Sequence, residues 1–343
     1  MSRTTQALVL AAAVGAGAAL ARSRAGDRTT PDALPAPPLE GRRTSLTTAD
    51  GVELAVEVHE PDGATVGGTV VLLHGYVQSS RLWAGQVGDL RSARPDLRVV
   101  VYDHRGHGRS TATGREHARL EQLGRDLAQV LEEVVPAGPV LLAGHSMGGM
   151  TIMALAEQRP ELFTAAGPVT GVAFLATSSG GLGAVTWGLP APVARVVRAL
   201  LPRANEKAVR AEAAGRARRA GAVERRLLFP RGADPEHVRE VLAVQSASTA
   251  ETTAAFLPTF EDHDRAHALV ALAGLPVLVL AGDADLLCPL PHSRAIAAAL
   301  PAAELVVYPG VGHMVHLERR EEVGRQLLRL ADAALPPRAP VSP

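Results

Sequence analysis

The chain has 343 residues, of which 47% are apolar, so its size allows one large globular domain or two small ones. Its 35 basic and 35 acidic residues balance and aromatic residues make up only 3%, which excludes the basic, aromatic-interleaved surface typical of nucleic-acid binding. The single cysteine, Cys288, excludes an internal disulfide framework and a thiolate-rich metal site.

The N-terminal residues 1–24 have the features of a targeting segment. Arg3 precedes an apolar run at 7–20, the first acidic residue is Asp27, and Ala19-Leu20-Ala21 fits a small-x-small cleavage site. We interpret residues 1–24 as a signal peptide or membrane anchor, which predicts a secreted or membrane-associated protein; an Ala-rich cytosolic helix is the less favoured alternative. Residues 25–43 carry prolines without periodicity and predict a linker, and residues 336–343 predict a tail.

The first half of the core shows strands alternating with helices. Residues 44–58 predict a β-hairpin that turns at Asp50-Gly51, and the apolar runs 69–73 and 98–102 predict strands buried on both faces. Residues 120–135 have helical spacing. This alternation predicts an α/β fold with a mostly parallel, doubly wound sheet. In such sheets ligands bind at the carboxyl ends of the strands.

A third apolar run, 139–143, leads into a serine motif and then into a helical stretch at 149–156. The motif is Gly144-His145-Ser146-Met147-Gly148, which fits G-x-S-x-G. In a chain this rich in glycine, the motif alone could be a Gly-rich loop. A strand before it and a helix after it favour a nucleophile elbow, in which Gly144 and Gly148 leave room for the tight turn and the serine hydroxyl is exposed.

Three strand-end segments in this order resemble the α/β-hydrolase fold family over residues 43–335. Within this family, residues 145–149 and the Arg-rich helical segment described below look most like serine esterases and monoacylglycerol-lipase-like enzymes. The segments are His74-Gly75, Asp103-x-Arg105-Gly106-x-Gly108-x-Ser110 and the serine motif. The resemblance implies that the backbone N–H groups of Tyr76 and Met147 form an oxyanion hole. It also implies supporting roles for His74 and Gly75, and a bracing role at the oxyanion loop for Asp103 and Arg105.

A serine nucleophile needs a base, and the base needs an orienting carboxylate. The resemblance implies the chain order serine, acid, histidine, which predicts a catalytic triad of Ser146, Asp285 and His313. Asp285 fits the family pattern Gly282-x-x-Asp285-x-x-x-Pro289, and Asp283 is the alternative. His313 follows the last predicted strand at 303–308, and His316 is its alternative.

Between the two halves of the core the pattern changes. The first half of the core is predicted at 44–173 and includes a strand at 165–172. The second half is predicted at 264–335 and includes a strand at 275–281. Residues 174–263, between the halves, predict a helical cap over the site. Between 195 and 226, basic residues outnumber acidic ones by ten to three. This excess predicts either docking on an anionic membrane surface or a solvated helix face, and the solvated face is favoured.

These features predict a serine hydrolase that needs no cofactor and cleaves carboxylic esters of apolar acyl groups, with a small-molecule apolar ester as its ligand, a membrane surface as a candidate partner and no nucleic acid. A carbon–carbon bond hydrolase, a perhydrolase and an acyltransferase on the same fold are the alternatives, and a non-catalytic binding protein is a remote one. A metal enzyme is also remote, because the histidine pairs with ligand-like spacing lack a convergent set of carboxylates. The pairs are His104 and His107, His263 and His267, and His313 and His316.

Overall fold

The computed structural model describes residues 39–63, 66–135, 138–215 and 221–335. The predicted signal peptide or anchor at 1–24, most of the predicted linker and the tail at 336–343 lie outside these residues. Within the described ranges, no helix combines the length and the apolar character needed to cross a bilayer.

Eight strands in the described residues form a single sheet. They are β1 (Arg42–Thr47), β2 (Glu53–His59), β3 (Gly68–Leu73), β4 (Leu97–Tyr102), β5 (Val140–His145), β6 (Val169–Leu175), β7 (Val277–Gly282) and β8 (Glu304–Tyr308). Their order is β1-β2-β4-β3-β5-β6-β7-β8. β2 runs antiparallel to β1 and β4, and every other neighbouring pair is parallel. The predicted hairpin and the mostly parallel sheet are both confirmed.

Helices cover both faces of this sheet. In chain order the described α-helices are α1 (Ala84–Ala93), α2 (Leu120–Glu133), α3 (Met147–Gln158), α4 (Ala191–Ala213), α5 (Ala222–Leu228), α6 (Pro235–Ala247), α7 (Ala250–Glu261), α8 (Leu290–Ala299), α9 (Val315–Glu318) and α10 (Arg320–Ala334). One apolar cluster joins α1 and α10 to the sheet, and another joins α2, α3 and α8 to its opposite face.

Strand β3 shows why the predicted strands had to be apolar throughout. Successive side chains of a strand point to opposite faces of the sheet. Val70 and Leu72 lie in the cluster with α1 and α10, whereas Val71 and Leu73 lie in the cluster with α2 and α3. All four side chains are fully buried, as expected for a parallel strand covered by helices on both sides.

Two element boundaries differ from the predictions. The strand predicted at 165–172 is β6, which begins at Val169 and ends at Leu175. β1 begins at Arg42, inside the predicted linker. In both cases pairing with a neighbouring strand sets where the strand begins. Val169 pairs with Val140 of β5, and Arg42 pairs with Val58 of β2. Pairing across the sheet is not visible in local composition.

The described residues between β6 and β7 include the helices α4 to α7, and the role of these helices as a cap over the site stays a prediction. On the outer face of α4, Val196 is 59% exposed and Leu200 is 42% exposed, beside the exposed Arg195 and Arg203. Apolar and cationic side chains on one helix face suit contact with an anionic bilayer. Contact of the protein with a membrane surface therefore stays a prediction, and this face of α4 is the part of the chain on which it depends.

Candidate active site

Ser146 occupies the sharp turn between β5 and α3. Its backbone has φ 52° and ψ −116°, a backbone conformation that residues other than glycine rarely adopt. The Thr177 hydroxyl donates a hydrogen bond of 2.7 Å to the Ser146 carbonyl, which holds the turn from the end of β6. Ser146 is 9% exposed, so the residue is largely shielded from solvent. A strained serine at the start of a helix is the geometry predicted for a nucleophile elbow.

The glycines of the serine motif allow the turn to pack directly on the sheet. A Cβ atom on Gly148 would lie 2.3 Å from the carbonyl oxygen of Leu73, at the end of β3. A Cβ atom on Gly144 would lie 2.4 Å from the carbonyl carbon of Gly148. Both neighbours are backbone atoms, so a side chain could fit only if the elbow moved away from β3.

We therefore expect Gly148→Ala to lower the free energy of unfolding by about 1–3 kcal/mol, the usual range for forcing extra atoms into a packed interior. The matched control is Gly88→Ala on the exposed face of α1, where a Cβ atom would meet nothing within 4 Å. That control should stabilise the protein by about 0.5–1 kcal/mol through helix propensity. Urea denaturation followed by circular dichroism measures both. Equal stability of Gly148→Ala and the wild type would contradict the packing argument.

The loop that follows β3 lies against the elbow. Because Gly148 contacts the Leu73 carbonyl, the segment His74-Gly75-Tyr76 is close to the first turn of α3. The Gly75 N–H donates to Gln78 Oε1 at 3.1 Å, and this oxygen lies 3.2 Å from His145 Nδ1. Tyr76 packs against the apolar cluster that contains Met147. The structure thus brings both predicted oxyanion residues to one end of the sheet, and their N–H roles stay predictions.

His74 supports this loop through both ring nitrogens. Nδ1–H donates to the Gly75 carbonyl at 2.7 Å, and Nε2 accepts a hydrogen bond of 2.9 Å from the His104 N–H. Burial lowers the pKa of His74, which keeps the ring neutral. With both nitrogens engaged by backbone groups, His74 orders the loop, as expected for a supporting residue.

Asp103 and Arg105 have different partners. Asp103 accepts a hydrogen bond of 2.7 Å from the Ser80 N–H, shortly after the oxyanion loop. The fully buried Arg105 instead pairs with Asp50 at 2.7 Å and Asp126 at 2.6 Å. The prediction that Arg105 braces the oxyanion loop is wrong, because its guanidinium joins the β1–β2 turn to α2. A buried guanidinium needs carboxylate partners, and the fold supplies them there.

His313 is oriented by Asp285. The His313 Nδ1 atom lies 2.8 Å from Asp285 Oδ2, and both residues are buried. The other Asp285 oxygen accepts from the backbone N–H groups of Leu287 and Cys288, at 2.8 and 3.0 Å. A carboxylate with this many donors is fixed in place as an acceptor. Nδ1 must carry the proton of this pair, which leaves Nε2 as the nitrogen that can accept one.

The two alternative residues have other contacts. Asp283 is exposed and accepts a hydrogen bond of 2.7 Å from the Gly310 N–H. His316 is buried between the rings of Trp83 and His145, with centroid distances of 4.8 and 4.5 Å. Burial lowers the pKa of His316 to about 3. The structure therefore brings Asp285, and not Asp283, to His313, and places His316 in the packing behind it.

Backbone contacts connect His313 to the elbow and the cap. Its carbonyl accepts a hydrogen bond of 2.9 Å from His145 Nε2, and His145 directly precedes Ser146. Its N–H donates to the Leu228 carbonyl at 2.9 Å, at the end of cap helix α5. The N–H of Gly312 donates to Glu318 Oε1 at 2.9 Å. These contacts hold the predicted base in position relative to the predicted nucleophile.

Several residues of this site were missed by sequence reasoning. Gln78, Thr177 and Glu318 lie in no recognised motif, and His145 lies in the serine motif without an expected role. Each acts through a hydrogen bond to a residue distant in the chain or to the backbone of a motif. The only available signal was their position just after a predicted strand or motif.

Apolar side chains surround the elbow. Met147, Met150, Phe256 and Cys288 form one buried cluster, with Tyr76, Leu182 and Phe260 packed against it. Phe256 and Phe260 belong to helix α7, so the segment between β6 and β7 contributes side chains to this apolar cluster. Burial raises the pKa of Cys288 well above its usual value, so it remains a thiol. In the described parts of the chain, no group of three or more His, Cys, Asp or Glu side chains is placed to hold a metal ion.

Comparisons with known proteins agree with this architecture. The chain is 29% identical over 292 residues to a monoacylglycerol lipase of Mycolicibacterium smegmatis, covering 81% of this chain and 92% of the relative. It is 28% identical over 263 residues to a dihydrolipoyllysine-residue acetyltransferase component of an acetoin cleaving system of Pseudomonas putida, covering 76% of this chain but only 63% of that protein. A thermophilic esterase of Thermogutta terrifontis has the same fold, with a TM-score of 0.63, 23% identity and coverage of 86% of this chain and 99% of the esterase.

A family model described as alpha/beta hydrolase fold matches residues 68–320, from the start of β3 to the start of α10. This range contains the serine motif, Asp285 and His313. The chain therefore belongs to the alpha/beta hydrolase fold family.

Proposed function

We propose that this hydrolase cleaves carboxylic esters of apolar acyl groups, with Ser146 as nucleophile, His313 as general base and Asp285 as the orienting carboxylate. The observation that carries the proposal is the 2.8 Å contact between His313 Nδ1 and Asp285 Oδ2, on a loop tied to the strained serine turn through His145. In the proposed triad, a base that is oriented by a carboxylate accepts the proton of the serine hydroxyl and so activates it.

In the proposed reaction His313 Nε2 takes the proton of Ser146 Oγ while Oγ attacks the ester carbonyl. Asp285 keeps the Nδ1–H tautomer and stabilises the imidazolium that forms. The N–H groups of Tyr76 and Met147 stabilise the oxyanion, supported by the positive end of α3. The imidazolium gives its proton to the leaving alcohol, and an ester links the acyl group to Ser146. Water activated by His313 then releases the acid.

The apolar acyl preference rests on the side chains around the elbow. Met147, Met150 and Phe256 form a fully buried apolar layer beside the elbow. The partly buried Tyr76, Leu182 and Phe260 pack on this layer, and they are the side chains that an acyl chain at the elbow would meet. A relative described as a monoacylglycerol lipase supports this preference. An acyl chain in such surroundings gains affinity from the apolar area that it buries.

A carbon–carbon bond hydrolase, a perhydrolase or an acyltransferase would use the same nucleophile, base and oxyanion hole. One relative is described as an acetyltransferase component, which keeps acyl transfer to an acceptor other than water among the alternatives. A non-catalytic binding protein would have no use for the Asp285–His313 pair. The alternatives therefore differ from the proposal in substrate and acceptor, and a substrate series separates them.

We expect the purified protein to hydrolyse p-nitrophenyl esters with a kcat/KM that rises with acyl length from acetate. Each methylene that becomes buried contributes about 0.8 kcal/mol, or roughly a fourfold gain, until the apolar pocket is filled. Release of p-nitrophenol measures the rates, and the Ser146→Ala variant supplies the background. A flat, near-zero response at every chain length would overturn the ester-hydrolase proposal and favour one of the other acyl-transfer reactions.

A further inference from the structure

Glu318 follows the predicted base His313 in the chain, and its side chain contacts Gly312, the residue that precedes His313. It is the last residue of α9, and its Oε1 atom accepts a hydrogen bond of 2.9 Å from the Gly312 N–H. The structure leaves no space for a side chain at position 312, because a Cβ atom there would lie 2.7 Å from the Leu228 carbonyl oxygen and 3.2 Å from Glu318 Oε1. The turn that carries His313 is thus held between the end of cap helix α5 and the Glu318 carboxylate.

The ion pairs near Glu318 join its neighbours in the chain. In the part of the chain that the structure describes, no ion pair to Glu318 occurs, although the neighbouring Arg319 pairs with Glu322 and Arg325 with Glu321. The titratable groups that act on it are Asp285, from the loop after β7, and His313. The backbone N–H groups of Gly312 and Met314 favour the ionised carboxylate, but burial and the nearby Asp285 disfavour it more strongly.

The pKa of Glu318 shows this cost. Burial raises the pKa, the Gly312 N–H bond lowers it, the nearby Asp285 raises it and His313 lowers it, with a net value of about 7. Groups that a fold retains at a cost to its stability are concentrated at functional sites. A glutamine would make the same hydrogen bond to Gly312 without the charge. Packing alone therefore does not account for a glutamate at this position.

We propose that Glu318 is a positioning residue for His313, which fixes the Gly312–His313 turn and adds a second negative charge behind the Asp285–His313 pair. This inference rests on the proposed function of that pair. As His313 accepts the serine proton it becomes an imidazolium, and a carboxylate close to it stabilises that charge. Glu318 acts through His313 and does not touch the substrate.

The proposal has a consequence for the pH dependence of the reaction. Glu318 takes up a proton as the pH falls through about 7, and below that pH the wild type loses the charge. Glu318→Gln keeps an acceptor for the Gly312 N–H but has no charge at any pH. We therefore expect the variant to be about three- to tenfold slower than the wild type at pH 8.5, as for loss of a nearby charge interaction. The two rates should converge below pH 6.

The stability of the protein should change in the opposite direction. The folded pKa of about 7 is higher than the ordinary value of 4.5, so the folded state binds the proton more tightly than the unfolded chain. Glu318 therefore destabilises the fold progressively as the pH rises from 4.5 to 7, and this cost persists above pH 7. Glu318→Gln removes this cost, so the variant should have a Tm higher by about 2–4 °C at pH 8.5, and the difference should shrink towards zero as the pH falls to 4.5.

The test uses the rate of covalent labelling by a fluorophosphonate, because this rate reports activation of the serine without requiring the natural substrate. Wild type, Glu318→Gln and Glu318→Asp are compared from pH 5.5 to 9, with Tm measured at each pH. Glu318→Asp retains the charge but is too short to keep the Gly312 bond. Glu321→Gln is the matched control, because Glu321 is exposed and should affect neither quantity.

Slower labelling with a higher Tm for Glu318→Gln at pH 8.5, and convergence of the labelling rates at low pH, support the proposal. Equal labelling rates of Glu318→Gln and the wild type at pH 8.5 overturn it. A parallel loss of rate and Tm at every pH also overturns it, because that is the effect of a purely structural residue. If Glu318→Gln does not fold, the test rests on Glu318→Asp. A wild-type labelling rate for Glu318→Asp would then overturn the proposal that the hydrogen bond from Gly312 to Glu318 fixes the turn that carries His313. Absence of labelling in the wild type would instead contradict the proposed function itself.

Discussion

Replacing Ser146 by Ala is expected to abolish ester hydrolysis, with kcat falling by about 10⁴- to 10⁶-fold, as when the nucleophile of a serine hydrolase is removed. The variant should also fail to react with a fluorophosphonate, which labels an activated serine. The hydroxyl is the only group lost, and alanine keeps the Cβ atom that serine has on the backbone at φ 52°. The fold should therefore be retained while the chemistry is lost. Mass spectrometry of the labelled protein and p-nitrophenol release provide the two readouts.

The matched control is Ser92→Ala, the same substitution on the exposed surface of α1. It should keep the wild-type rate and the wild-type labelling. Stoichiometric labelling of the Ser146→Ala variant would show that another residue is the nucleophile and would remove the basis of the proposed mechanism. Circular dichroism of all three proteins excludes unfolding as the cause of any loss.

Replacing Asp285 by Asn is expected to lower kcat by about 10⁴-fold near neutral pH, the effect of presenting the wrong tautomer of the base. The carboxylate accepts from His313 Nδ1, and its other oxygen accepts from the N–H groups of Leu287 and Cys288. An asparagine can keep its oxygen on those two backbone donors only by turning its NH₂ group towards Nδ1. The proton of the ring then moves to Nε2, which can no longer accept one from Ser146.

Asp283→Asn is the matched control for this prediction. Asp283 is two residues away and exposed, and its side chain accepts a hydrogen bond from the backbone N–H of Gly310. As a surface substitution it should change the rate by no more than about twofold. A large loss in Asp283→Asn together with a small one in Asp285→Asn would reassign the orienting carboxylate. Fluorophosphonate labelling should follow the same order as hydrolysis.

Local sequence was a sound guide to the elements and to the edge of the sheet where the site lies. The apolar runs of β3, β4 and β5 were recognisable because parallel strands are buried on both faces. The Ser146 motif was recognisable because the turn requires glycine at 144 and 148, where any Cβ atom would collide with backbone. In each case a requirement of the fold falls on residues adjacent in the chain.

Sequence reasoning failed where the partner lies far along the chain. Arg105 follows β4, like Asp103, but its partners are Asp50 and Asp126, which are brought together only when the β1–β2 hairpin packs beside α2. Glu318 reads as an ordinary helix residue, and its contact with Gly312 depends on the sharp turn before α9. The ends of β6 depended in the same way on its neighbours in the sheet.

The sequence by itself determined the fold class and the position of the serine turn, because hydrophobic period and turn chemistry are local properties. The order of serine, acid and histidine was implied by the family resemblance, and the catalytic roles of these residues stay a prediction. The tertiary structure decided between Asp285 and Asp283 and between His313 and His316. It did so because a hydrogen bond requires a distance of about 3 Å, and such distances are set by the packing of whole elements. It also revealed Glu318, whose role depends on a neighbouring charge and on burial, and neither exists until the chain is folded.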